Sequence, residues 1–83
     1  MGILDQLVSI SEEFVWQVRQ RVLDQRRMLE LIELQGDTEA VRRAQAVLAT
    51  LERVNRVALY RLNAERAVSE RASAAEPGAQ PTR

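Results

Sequence analysis

The sequence predicts an all-α protein, an antiparallel two-helix hairpin that self-associates into a four-helix bundle, and three observations carry that expectation. Two stretches of about thirty residues each repeat apolar side chains at heptad spacing. Only Gln35-Gly36-Asp37-Thr38 separates them, a joint too short for anything but a chain that folds back on itself. The apolar stripe on each stretch is broader than a two-stranded coil uses, which leaves part of it for further helices.

Composition agrees with helix. The 83 residues are 46% hydrophobic with three aromatics, and Ala, Val, Leu, Arg, Glu and Gln dominate. A hairpin this small buries one stripe per helix, so association is close to a requirement for stability. With no Cys and no His, disulfides and thiolate or imidazole metal sites are excluded.

Helix 1 is expected over about residues 3–35, with Asp5 as its cap; Ser9, followed by Glu12 in a capping-box spacing, is the later alternative. Val8, Val15, Val22 and Leu29 fill one heptad column without exception. Leu4, Val18 and Ile32 fill its neighbour, interrupted by Ser11 and Gln25. Leu7, Phe14 and Met28 widen the stripe, interrupted by Arg21, and the far edge is wholly charged: Asp5, Glu12, Arg19, Arg26, Glu33.

At the joint, Gly36 suits the left-handed conformation that closes a helix. Asp37 can accept the free N–H groups of the next one, and Glu39 puts negative charge in its first turn. Helix 2 is expected over about 38–72. Its stripe combines Val41, Leu48, Asn55 and Leu62 with Ala44, Leu51 and Ala58, and with Val47, Val54 and Val68. Glu65 and Ser69 interrupt it late, and 73–83, with two prolines and no periodicity, reads as a disordered tail.

If the chain folds about the joint, residues at equal height have numbers summing to about 73. That sum pairs Arg21 with Glu52, Glu12 with Arg61 and Glu30 with Arg43. It also sets Val18 level with Asn55. A twofold axis there would bring Asn55 to its own copy and Ser11 to Gln25 of the other chain, an antiparallel homodimer; otherwise these polar residues lie at edges that solvent reaches. The expected self-association core is Val8, Val15, Val18, Val22, Leu29, Leu48, Leu51, Asn55 and Leu62.

The chemistry on offer is sparse. Carboxylates are the only conceivable catalytic groups, none has a histidine beside it, and no phosphate loop or nucleophile motif occurs. No enzyme activity, cofactor or metal is expected. Net charge is zero and all twelve basic residues are Arg, so no global field recruits nucleic acid. A local basic strip from Arg19, Arg26 and Arg27 with Arg21 is the alternative functional surface. Trp16 and Leu23 share a column about 100° from the stripe, with Val57 and Tyr60 at corresponding height on helix 2. These four form either a protein-binding hot spot or part of a wider oligomer core. No apolar run reaches the ~20 residues of a spanning helix. Met1 to Gln6 lacks a myristoylation or secretory pattern. A cytoplasmic protein without membrane contact is expected.

The short-jointed hairpin with Ala and Leu layers resembles the design of the Rop-type hairpins that bind RNA in plasmid copy-number control, a likeness that implies a nucleic-acid regulator but carries over no residue. Gly36-Asp37 together with Ala58-Leu59-Tyr60-Arg61 resembles the small co-chaperones that keep type III secretion needle subunits soluble, which implies a chaperone role. The reading favoured by the residues themselves is a non-enzymatic homo-oligomer, dimer first, that meets a further protein as adaptor, regulator or chaperone.

Overall fold

Heptad columns of Val, Leu and Ala on two long helices produce a closed antiparallel hairpin. A computed structural model describes residues 2–75, in which α1 spans Ile3–Gln35 and α2 spans Thr38–Ala75. The rod measures 69 × 18 × 15 Å. Expected helix limits hold at the joint and shift at the outer ends. α2 runs on through Ser73, Ala74 and Ala75, three residues that the sequence places in the tail; the remainder of that tail, 76–83, lies outside the described residues.

The joint is built as its residues dictate. Gly36 sits at φ 81° and ψ 8°, in the left-handed region, and its N–H bonds the Glu33 carbonyl at 3.2 Å. Asp37 Oδ1 accepts the N–H groups of Glu39 at 3.1 Å and Ala40 at 3.2 Å, satisfying two donors that the new helix cannot serve itself. The start of α1 differs from expectation. Gly2 is the cap, and Asp5 lies inside the first turn, where its carboxylate accepts the Gly2 N–H at 3.4 Å and complements the helix dipole. Ser9 is interior to the helix.

The seam between the helices takes two columns from each. Val15, Val18 and Val22 of α1 and Ala44, Ala58 and Leu62 of α2 are buried; Val15, Ala58 and Leu62 form one cluster, with Val8 and Leu59 packed onto it. Small Ala facing branched Val lets the two backbones approach. Leu29, Leu48, Leu51 and Asn55 are half-buried in the same seam. The residues expected to form the core between copies therefore already pack within one chain.

The polar interruptions of the seam also find partners inside the chain. Ser11 Oγ donates to the Glu65 carboxylate, and Gln25 Nε2 donates to the Ala44 carbonyl at 3.2 Å. Both residues that the twofold arrangement would pair between copies thus have hydrogen-bond partners within one chain. Near the open end Ser69 Oγ donates to Asp5 Oδ1 at 3.2 Å. Glu65 and Ser69 thus hold the last turns of α2 rather than weakening them. Asn55 Oδ1 alone among the described buried side-chain polar atoms has no partner.

The three ion pairs expected from equal height do not form. Glu52 binds Arg26 at 3.1 Å and Glu12 binds Arg66 at 2.8 Å, while Arg61 turns back to Glu65 at 3.2 Å. Glu30 and Arg43 form no ion pair among the described residues. The reason is lateral. Glu12, Arg26, Glu52 and Arg66 border one side of the seam, whereas Arg21 and Arg61 border the other, so equal height does not bring the expected partners within reach.

Candidate functional site

Every residue just outside the seam falls on one of two sides, and the sequence treats the two sides differently. One is polar. It carries both inter-helix ion pairs, Glu12–Arg66 and Arg26–Glu52, whose side chains keep between 37 and 55% of their surface in water.

The opposite side is apolar. Leu7, Phe14 and Met28 of α1 flank the seam there, and Val47, Val54 and Val68 of α2 flank it from across, all of them exposed. Ile10 and Val57 continue the surface outward. Leu7, Ile10, Phe14, Val54, Val57 and Ala58 line a groove of about 510 Å³, together with the polar Ser11, Arg53, Arg61 and Glu65. A shallower depression of about 320 Å³ between Met28 and Leu51, edged by Arg21 and Asp24, extends the same side toward the joint. These are the third columns of the two stripes, the part a two-helix seam cannot cover.

The hot spot expected from Trp16, Leu23, Val57 and Tyr60 is divided between surfaces. Trp16 lies on the polar side in a depression with Glu12, Arg19, Leu59 and Arg66, whereas Val57 lines the apolar groove. Leu23 is 40% exposed, and Tyr60, at 77%, belongs to neither groove. Equal height again failed to mean a common side. The expected core residue Leu62 is buried in the seam and reaches the polar-side depression.

The arginines expected to form a basic strip stand among carboxylates. Arg26 is held by Glu52, Arg27 lies 3.9 Å from Asp24, and Arg19 shares its depression with Glu12. Their surface is mixed in sign rather than uniformly positive, which weakens the field a nucleic-acid backbone would meet.

No cluster of three or more carboxylates that could hold a metal ion occurs among the described residues, and no described helix is long and apolar enough to cross a membrane. The groove offers apolar contact and shape, with Arg53, Arg61 and Glu65 the charged residues of its lining. No family model, no curated protein and no solved structure matches this chain.

Proposed function

We propose that this chain is a non-enzymatic helical hairpin that works as a homo-oligomer, an antiparallel or parallel pair of hairpins forming a four-helix bundle, and acts through protein contacts as an adaptor, regulator or chaperone. One observation supports it above others. A chain that buries only six described side chains leaves a whole apolar side in water, and exposed apolar surface of that extent marks an association site.

The hairpin also has little else to stabilise it. Its seam is interrupted by Ser11, Gln25, Asn55 and Glu65, and its cross-helix ion pairs are solvated, each contributing ~0 to 1 kcal/mol. Covering the apolar side would add the hydrophobic burial that a lone pair of helices lacks.

Light scattering of the purified chain tests the reading. A mass of two or more chains supports it, and a solitary chain at every concentration overturns it. Retention of single-stranded or duplex RNA that falls steeply with added salt would instead support a nucleic-acid regulator.

A further inference from the structure

The two sides of the hairpin differ so sharply that the surface joining the copies can be assigned. We infer that a second copy of this chain covers the side formed by Leu7, Ile10, Phe14, Val54 and Val57, leaving the side with Trp16 and the Glu12–Arg66 and Arg26–Glu52 pairs in water. This rests on the self-association reading above and adds the surface, which differs from the core the sequence suggests.

Width identifies the occupant. The hairpin is 18 Å across, whereas a single helix with its side chains is about 10 to 12 Å wide. One docked helix would leave a strip of the side wet, and a second hairpin matches it. Length gives the area. From Ile3 to Leu31 the apolar side runs about 42 Å at ~1.5 Å per residue. Over the width of 18 Å this presents roughly 750 Å² per copy, close to the ~800 Å² a stable protein pair buries on each partner.

Joining the copies through the polar side would strip water from four ionised groups in two ion pairs, a cost that apolar contacts there do not offset. The apolar side also carries ionised groups, Arg21 and Asp24 at the shallower depression and Arg53, Arg61 and Glu65 at the groove, and there they stand among the exposed Leu7, Phe14, Met28, Val47, Val54 and Val68 whose burial offsets the cost. Zero net charge means that two copies approach without mutual repulsion.

The test uses substitutions that leave the seam alone. Ile10 and Val57, at 66 and 63% exposure, stand on the apolar side, and Trp16 and Tyr60, at 60 and 77%, stand off it. Ile10→Glu and Val57→Glu are each expected to raise the dimer dissociation constant at least about tenfold, read by sedimentation equilibrium, while Trp16→Glu and Tyr60→Glu leave it unchanged. The reverse pattern, or association indifferent to Ile10→Glu and Val57→Glu, overturns the assigned surface while leaving self-association standing. A wild-type chain that never associates overturns both. Because a separated hairpin can lose helix, thiol reactivity supplies a second measurement, and the chain has no native cysteine to interfere. Val57→Cys is expected to react at least about tenfold more slowly at associating concentrations than after dilution, with Tyr60→Cys reacting equally fast in both. Equal rates at Val57→Cys overturn the surface.

Discussion

Arg66 donates to Glu12 at 2.8 Å across the hairpin, five residues beyond the arginine that equal height assigns to that carboxylate. The pair belongs with Arg26–Glu52 to the side held to be wet. Glu12→Gln should therefore cost less than about 1 kcal/mol in chemical denaturation, and less still in high salt. A loss of several kcal/mol would mean that the pair is buried in the working protein, and the two sides would have to be exchanged.

The joint should be the most sensitive exposed point of the chain. Gly36 has open space where a Cβ would stand, so the cost of Gly36→Ala is backbone strain at φ 81° alone, about 1 to 2 kcal/mol. Asp37→Ala removes the acceptor of two N–H groups and should cost about 1 kcal/mol, while Asp37→Asn should retain most of it. Denaturation midpoints at one fixed protein concentration measure both. Unchanged midpoints would place the helix ends elsewhere.

Ser11 and Glu65 act as a unit within the seam. Ser11→Val alone leaves the Glu65 carboxylate with only Arg61 and should destabilise by roughly 1 to 3 kcal/mol. Adding Glu65→Leu should recover that loss or more, because an apolar pair needs no partner. Additive losses in the double-mutant cycle would show that the two side chains are not coupled.

Asn55 holds a carbonyl oxygen in the seam without a donor. Asn55→Leu should raise stability by roughly 1 to 3 kcal/mol and leave the associated mass unaltered, since the residue faces its own chain. A changed mass would return Asn55 to the contact between copies.

What could be read from the sequence was whatever one helix determines by itself. Gly36 and Asp37 close and open helices through local chemistry, and the columns through Val15 and Leu62 are set by heptad spacing, so joint and seam were legible. Pairings across the seam were less so. Counting from the joint gives height but not side: Arg21 is level with Glu52 and Arg26 five residues from level, yet Arg21 lies across the seam and Arg26 makes the pair. The same omission grouped Trp16 with Val57. Glu65 and Ser69 looked like flaws late in α2 because their partners, Ser11 and Asp5, lie on the other helix. The breadth of the stripes was the one sign of the candidate surface: Leu7, Phe14, Val47 and Val54 were visible as a third column, and only the closed hairpin shows that they share one side.

Dilution with mass and helicity followed together tests the central claim most directly. At micromolar concentration the chain should sediment at about twice its 9.4 kDa, and on dilution the helical far-ultraviolet signal should fall as the mass does. A 9.4 kDa species that keeps its full helicity at nanomolar concentration would contradict it, because the hairpin would then stand with its apolar side in water.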